Sequence, residues 1–318
     1  MSPILPARSP QTSLRLAPPE DSVQRAPVGA YSGRLSARAT PGPPLEMVVG
    51  MPVKEAATAL PKLFSLCKAA EGLVVRKALG LPDDPGATDA LRREILREHM
   101  AKLCLHWPVK LCLPARPLPN GWQDGKGVAR ALFGPGETAP ETPAEVEAYL
   151  ECDTGAAPVL RGIDRCFAPG VAIVPSLPWL NAKTAFEAKA CENSVAARQA
   201  HRPALLHIEA TRGRGPLWRA MARLWDVSDA LSGRFSGAIS HGNGTASVEA
   251  ARGTYSLTAS AEDGTVSALT RITPTDHLLA FGGILSHMLA TLPPDRESLA
   301  PLLLDIVDPC VPVHLDRA

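Results

Sequence analysis

The sequence predicts an α+β fold that is mostly helical. Several long segments repeat apolar residues at spacings of three and four, the period of a helix with one buried face. Two strand-like runs, residues 246–260 and 265–272, flank Glu262-Asp263-Gly264, and an Asp-Gly pair readily adopts the positive φ values of a tight hairpin turn. With 318 residues, of which 45% are hydrophobic, the chain can bury a sizeable core. We therefore expect a helical core that carries one small antiparallel hairpin.

The N-terminal part differs in composition from the rest of the chain. Residues 1–45 are rich in Pro, Arg, Ser and Ala and lack sustained periodicity, which predicts a partly disordered arm. Apolar periodicity begins after this arm, so residues 46–318 are predicted to form a single domain. The 32 prolines exceed the average share of about 5% and predict long ordered loops, among them residues 108–140.

The helices can be placed from their apolar stripes and their end signals. The first covers residues 52–80 and carries Cys67 on its buried stripe. The second begins after Gly86, with Thr88 or Asp89 as its cap. The remaining predicted elements are helices at residues 143–150, 182–200, 216–232 and 277–292 and a short buried strand at 170–174.

Composition excludes several classes of function. The formal charge is +1 at pH 7, so no global field steers the chain to nucleic acid or to a membrane surface. Basic residues cluster near the 216–232 helix, and we interpret this cluster as a solvated helix face: Arg212, Arg214, Arg219 and Arg223. The chain has no run of ~18 apolar residues and no apolar N-terminal export signal, which predicts a cytoplasmic location. Phosphate-binding and nucleophile-elbow motifs are also absent.

The seven cysteines are odd in number and scattered, and none forms a CxxC pair. This pattern predicts reduced thiols and argues against a zinc finger or ribbon. Cys310 is the most constrained of them, because Pro309 fixes its own φ, removes an N–H and makes the strip that leads to the cysteine extended. Thiolates are preferred ligands for iron and nickel, so Cys67 and Cys310 are candidate metal ligands. The structural alternative for Cys67 is a small residue of the core.

Three stretches, in the same order along the chain, resemble motifs of the nickel-iron hydrogenase large subunits. Asp308-Pro309-Cys310 is similar to the start of DPCxxCxxH, with Val313 at the second cysteine and Asp316 at the histidine. Residues 62–67 resemble RxCGxC, with Phe64 at the first cysteine and Cys67 at the second.

The third stretch resembles E-x-P-R-G followed by a turn and P-T. It reads Glu249-Ala250-Ala251-Arg252-Gly253, then Gly264, then Pro274-Thr275. The chain thus loses half of each cysteine motif and keeps this third stretch. In this pattern it resembles the HupK-type (HoxV-type) hydrogenase expression/formation proteins, which are degenerate relatives of the large subunit.

The resemblance implies a reduced large-subunit fold, a helical core with a small antiparallel hairpin, in which Cys67 and Cys310 meet in the interior. It implies a non-catalytic scaffold or carrier for iron with cyanide and carbon monoxide ligands. The implied partners are the hydrogenase large-subunit precursor and the iron-delivering maturation chaperones. Nickel is not expected, because Phe64 and Val313 cannot supply the missing thiolates.

The resemblance also implies roles for further residues, each with an alternative. Arg252 is expected to donate to a bound cyanide, unless it pairs with Glu249 or Asp263 at the sheet surface. Glu71 stands one helical turn after Cys67, where the large subunits carry a histidine, and it either interacts with the metal complex or is a carboxylate at the helix margin. His314 is either a nitrogen donor to the metal or an exposed terminal histidine.

Two other functions remain open from sequence. The first is a decoy of the large subunit, an interaction module that occupies maturation chaperones without binding cargo. The second is a thiol or metal redox enzyme built on Cys67 and Cys310.

Overall fold

The computed structural model describes residues 29–31, 35–235 and 237–317. The predicted α+β class is confirmed: about half of the chain is helical, and the strands form small antiparallel sheets. The α-helices are α1 Val53–Ala59, α2 Lys68–Ala78, α3 Ala87–Met100, α4 Trp107–Lys110, α5 Val128–Phe133, α6 Pro143–Glu151, α7 Ala157–Cys166, α8 Val195–Gln199, α9 Pro203–Arg212, α10 Pro216–Leu231, α11 Pro274–Leu278, α12 Ile284–Ala290 and α13 Ala300–Val307. The strands are β1 Gly29–Tyr31, β2 Leu35–Ala39, β3 Ile239–Gly242, β4 Thr245–Ala250, β5 Gly253–Glu262, β6 Thr265–Ile272 and β7 Val313–Arg317. None of the described helices is both long enough and apolar enough to span a bilayer.

Helix α10 is the centre of the helical part. It packs against α3, α7, α8, α9 and α13, and both of its tryptophans, Trp218 and Trp225, are fully buried. The interpretation of Arg219 and Arg223 as a solvated face is wrong, because their exposed fractions are only 5% and 4%. Both guanidinium groups are neutralised by carboxylates from other parts of the chain, which the helix period could not reveal.

The larger sheet has the order β3-β4-β5-β6 and is antiparallel throughout. The predicted hairpin is confirmed: β5 and β6 are joined through Asp263 and Gly264, which have φ values of 47° and 77°. The predicted first strand of that hairpin is too long. It is divided into β4 and β5 by a tight turn at Ala251-Arg252, and this turn directs Arg252 into the core.

The predicted first helix is interrupted before Cys67. Helix α1 and a 3₁₀ turn, Leu60–Leu63, are followed by extended backbone at Phe64, and α2 begins only at Lys68. Pro61 in this stretch cannot support a regular helical hydrogen-bond ladder. Cys67 therefore lies at the N-cap of α2 in a left-handed conformation, with φ of 57°, and not on a helical stripe.

Several other boundaries also differ from prediction. Helix α3 follows Gly86, whose φ is 75°, without a side-chain cap from Thr88 or Asp89, and continues into a π-helical segment, Ala101–His106. Residues 170–174 contribute only an isolated bridge at Val174, so the predicted strand is wrong. The predicted helix over 182–200 is reduced to a 3₁₀ turn, Thr184–Phe186, and the short α8. The one predicted over 277–292 is split into α11 and α12.

The smaller sheet has the order β1-β2-β7 and joins the two ends of the described chain. Strand β2 pairs antiparallel with β7, and Leu35 and Ala37 are buried. Composition predicts that residues 35–39 belong to the arm, but they pack with the domain. The N-terminal boundary of the domain therefore lies before residue 46. The predicted disorder of residues 1–28 and 32–34 falls outside the described residues.

Gly253 provides a test of how tightly the turn that carries Arg252 is packed. Its φ is 142°, and an added Cβ would lie 2.7 Å from Asn193 Oδ1 and 3.0 Å from Pro274 Cγ. We expect Gly253→Ala to lower the free energy of unfolding by about 3–4 kcal/mol, measured by chemical denaturation. The control is Gly264→Ala, at φ of 77° with no atom within 4 Å, which should cost about 1–2 kcal/mol. Equal losses in the two variants would contradict the tight packing.

Candidate functional site

A cavity of about 160 Å³ lies between the start of α2, the C-terminal strip and the larger sheet. Cys67, Cys310 and Glu71 all line it, so the structure brings three of the predicted site residues to one place. The other lining residues come from the segment after β2, the 3₁₀ region before α2, the sheet and the C-terminal strip: Pro41, Gly42, Pro43, Leu63, Phe64, Ser65, Leu66, Tyr255, Arg271, Val311 and Pro312.

Cys67 is a buried thiol at the beginning of a helix. Its exposed fraction is 4%, and Arg252 Nη1 lies 3.5 Å from its Sγ. In the first turn of α2, the backbone amides of Ala69 and Ala70 donate to the Glu94 carboxylate at 2.9 and 3.3 Å. Burial raises the pKa of Cys67 far above its ordinary value, although the Arg252 charge opposes this. The thiol is therefore protonated at neutral pH, and a metal must displace its proton to bind.

Cys310 is half-buried and is positioned by a threonine of α11. Its backbone N–H donates to Thr275 Oγ1 at 2.8 Å, and the Thr275 hydroxyl lies 3.1 Å from the Cys310 Sγ, to which it donates. Helix α11 is in turn fixed by a capping box between Thr273 and Asp276. Thr275 belongs to the Pro274-Thr275 pair of the third motif, which did not predict this contact with Cys310.

Arg252 is held by two carboxylates that sequence reasoning missed. Its Nη2 donates to Glu98 Oε2 at 2.9 Å and to Asp308 Oδ1 at 3.3 Å, and its exposed fraction is 7%. The alternative that Arg252 pairs with Glu249 or Asp263 at the sheet surface is therefore wrong. The Arg252 Nη1 donates to the Cys67 thiol. The Arg252 guanidinium thus links Cys67 to Asp308, which lies two residues before Cys310.

Asp308 is the acceptor for three buried cations. Besides Arg252, Arg223 Nη2 lies 3.1 Å and Lys102 Nζ 2.9 Å from its carboxylate. Burial alone would raise the pKa of Asp308, but Arg252, Arg223 and Lys102 together hold it well below its usual range. Asp308 also ends α13 in a left-handed conformation, with φ of 54°, which turns the chain into the strip that carries Cys310.

From Arg223 the network continues through His99 of α3 to Asp226, which also lies on α10. Arg223 Nη1 donates to His99 Nδ1 at 2.9 Å, so the His99 proton lies on Nε2, which donates to Asp226 at 2.6 Å. Burial lowers the pKa of His99, which favours the neutral ring. The site is therefore attached to α10, of whose 16 residues 13 are buried, through hydrogen bonds between side chains.

Glu71 lines the cavity and is only 2% exposed, so the alternative of a carboxylate at the helix margin is wrong. Its Oε1 accepts from Tyr255 Oη at 2.6 Å and from Arg271 Nη1 at 3.3 Å, whereas its Oε2 has no hydrogen-bond partner. Burial raises the pKa of Glu71 to about 8, with Tyr255 and Arg271 opposing the shift. The group is largely protonated at neutral pH.

His314 is placed away from the thiols. It lies on β7, is exposed, and its Nε2 lies 3.4 Å from Thr40 Oγ1. It is not among the residues that line the cavity.

The donor set is small. Among the described residues, no three side chains of His, Cys, Asp or Glu converge as a group able to hold a metal ion. Two thiols alone supply half of the ligands of a four-coordinate structural site. This arrangement suits a metal complex that brings most of its own ligands.

Comparison with known proteins shows an extensive similarity. The chain is 44% identical over 287 residues to the hydrogenase expression/formation protein HupK of Rhodobacter capsulatus, which covers 89% of this chain and 94% of that protein. No protein-family model matches the chain.

The raised pKa of Glu71 makes stability depend on pH. The folded-state pKa of about 8 exceeds the ordinary value of 4.5, so this group's contribution is fully present below pH 4.5 and is lost as the pH rises through 8. We expect Glu71→Gln to remove this loss, so that the free energy of unfolding of the wild type falls by roughly 2–4 kcal/mol more than that of the variant between pH 5 and pH 9. Chemical denaturation at a series of pH values measures both. Parallel curves would show that Glu71 is ionised in the folded state.

Proposed function

Because this chain belongs to the HupK family of hydrogenase expression/formation proteins, we propose that it is an accessory protein in nickel-iron hydrogenase maturation. In this proposal it carries an iron centre with cyanide and carbon monoxide ligands before the centre is transferred to the large-subunit precursor. The protein acts as a holder and not as a catalyst. Its partners are that precursor and the chaperones that deliver the iron.

The observation that carries the proposal is that Cys67 and Cys310 line one cavity, with a fixed guanidinium on the first. Thiolates are soft ligands suited to iron, and an iron that already holds strong diatomic ligands needs few protein donors. The cavity of about 160 Å³ far exceeds the ~10–15 Å³ that a single water requires, so several diatomic ligands can fit. Binding replaces the two thiol protons with iron.

Arg252 is the proposed recognition residue for cyanide. A cyanide bound to iron retains a partly negative nitrogen, and a charged guanidinium is a strong donor to such an acceptor. Although burial lowers the pKa of Arg252, Asp308, Cys67 and Glu98 raise it above its ordinary value, so the donor stays charged. Its two carboxylate partners fix the direction of the fork towards Cys67.

The loss of two motif cysteines, at Phe64 and Val313, explains in this proposal why the iron centre can be released and why nickel is not bound. Phe64 lines the cavity where the resemblance places a cysteine, and it cannot coordinate a metal. Cargo held by two protein ligands can leave more readily than cargo held by four. Cys67, whose proton is favoured by burial, regains that proton on release. Nickel, which needs the missing thiolates, is not a cargo in this proposal.

Replacing either cavity cysteine tests the proposal directly. We expect protein purified anaerobically, from cells with intact iron-delivery machinery, to show cyanide and carbonyl stretching bands in the infrared. Cys67→Ser and Cys310→Ser should each lose most of this intensity, because an iron–thiolate bond is removed. Cys191→Ser, also a buried thiol but outside the cavity, is the matched control.

Two outcomes would contradict the proposed carrier function. One is wild-type protein without any cyanide or carbonyl band. The other is a Cys67→Ser, Cys310→Ser double variant that supports full hydrogenase maturation, as a decoy without cargo would.

Arg252 gives a graded test of cyanide recognition. A charge-assisted hydrogen bond contributes roughly 1.5–3 kcal/mol, or about one to two decades in occupancy. Arg252→Leu should therefore lower iron retention by about tenfold to a hundredfold and shift the cyanide bands, and Arg252→Lys should lie between because it keeps the charge but loses the fork. Iron content and infrared spectra of folded protein measure both effects. Normal iron content with unshifted bands in Arg252→Leu would make this arginine purely structural.

A further inference from the structure

One segment of the thiol cavity's lining, residues 41–43, is called here the strap. It connects β2 to the 3₁₀ turn Leu45–Val48. All three of its residues line the cavity, and yet Pro41 and Gly42 are exposed to solvent. The strap therefore lies between the cavity and the solvent, and it has no part in the site as described so far.

The strap is held only at its ends. Among the residues that the structure describes, none forms a hydrogen bond with it, and Pro41 and Pro43 have no N–H to donate. Before the strap, the Thr40 N–H donates to Pro312 O at 2.8 Å, at the end of the β2–β7 ladder. After it, Val48 is buried. The strap can thus move away from the cavity without breaking a hydrogen bond, while both of its ends stay in place.

The other segments of the lining are held more firmly. Helix α2 and strands β5 and β6 belong to the hydrogen-bonded framework of the fold. The Arg271 guanidinium carbon lies 4.1 Å from the centre of the Phe64 ring, which fixes the residues before α2. The C-terminal strip is tied to Thr275 by the Cys310 N–H. Of these segments, the strap is the one that can be displaced at the lowest cost.

The two thiols differ in how far they are open to solvent. Cys67 is 4% exposed, whereas Cys310 is half-buried. A ligand from solvent can contact Cys310 directly, but it reaches Cys67 only after part of the lining has moved. A metal complex that carries its own ligands needs a wider opening still.

We propose that the strap is a lid over Cys67, which closes the thiol cavity in this structure and lifts to let a ligand in or out. Lids of this kind exclude water from a site and control the passage of ligands. An incoming complex then contacts Cys310 first, and Cys67 binds it after the strap has lifted. That this complex is the iron centre rests on the proposed function, whereas the opening of the strap does not.

Gly42 offers a way to latch the strap. A Cβ added at Gly42 would lie 3.4 Å from Arg271 Nη2, and the φ of Gly42 lies outside the left-handed region, so a side chain can be accommodated. Gly42→Glu brings a carboxylate within reach of the guanidinium, and the resulting ion pair holds the strap closed. Gly42→Gln is the matched control without the charge. The double variant Pro41→Ala, Pro43→Ala loosens the strap instead, because proline restricts the backbone.

The experiment is anaerobic alkylation of the full chain with iodoacetamide at one fixed pH, followed by mass spectrometry of the cysteine peptides. Each reaction forms a carbon–sulfur bond, expels iodide and releases the thiol proton to the buffer. The rate at Cys67 follows the fraction of molecules with a lifted strap, and Cys310 in the same molecule is the reference.

We expect Gly42→Glu to slow the alkylation of Cys67 about fivefold, the effect of a partly exposed ion pair, and Gly42→Gln to stay near the parent. The loosened double variant should speed it about fivefold. Cys310 should change by less than about twofold in all three. In an Arg271→Gln background Gly42→Glu should have no effect, because the carboxylate remains but its partner is gone.

The inference is overturned if either Gly42→Glu or the loosened variant leaves the rate at Cys67 within about twofold of the parent. It is equally overturned if Gly42→Glu slows both thiols alike, or slows Cys67 just as much in the Arg271→Gln background, because the added charge and not a latch then acts. Wild-type protein without cyanide bands would refute the proposed function alone, since alkylation tests the lid without any iron.

Discussion

The arrangement of the site depends on the carboxylate of Asp308 and the three cations around it. Arg252 comes from the β4–β5 turn, Arg223 from α10 and Lys102 from the π-helical segment after α3. Leaving a buried charge without its partner costs about 3–5 kcal/mol of stability. None of the three elements that carry these cations can therefore move away from Asp308 without a large loss of stability. Because Asp308 is two residues before Cys310 and Arg252 contacts Cys67, this ion cluster also fixes one thiol relative to the other.

The backbone around this cluster is irregular where the side chains require it. Asp308 and Cys67 both adopt left-handed conformations that residues other than glycine rarely take. Lys102 belongs to a π-helical turn, a rare element that is common at functional sites. Local strain of this kind persists where the surrounding structure enforces it, and here the enforcing contacts are the buried ion pairs and the brace of Thr275 on Cys310.

The ion cluster and the lining of the thiol cavity differ in electrostatics. In the cluster around Asp308 each guanidinium contacts a carboxylate, so the charges are largely balanced. In the cavity lining, Glu71 has a pKa raised to about 8 and shares one oxygen between Tyr255 and Arg271. Together with a Cys67 thiol whose proton is favoured by burial, this makes the cavity neutral to positive before loading. In the proposed carrier function, uptake of an anionic complex displaces the thiol proton, and release of the complex returns it.

Local patterns in the sequence determined the elements whose geometry is set within a few residues. The Asp263-Gly264 turn, the helix after Pro143 and the helix over 216–231 were predictable because turn chemistry, capping and apolar spacing act over short distances. The half-kept motifs around Cys67, Arg252 and Cys310 also indicated the family and the candidate site. The sequence did not indicate that Cys67 leaves the helix.

Only the tertiary structure decided which charges are buried and what neutralises them. Arg223 reads as a surface residue by helix period, yet its counterion lies 85 residues away, and Arg252 finds Glu98 across 154 residues. Arg271 likewise had no motif, because the residues it contacts, Phe64 and Glu71, come from a different part of the chain. Ion pairing and aromatic stacking depend on distance in space, which neither spacing nor composition specifies until the chain has folded.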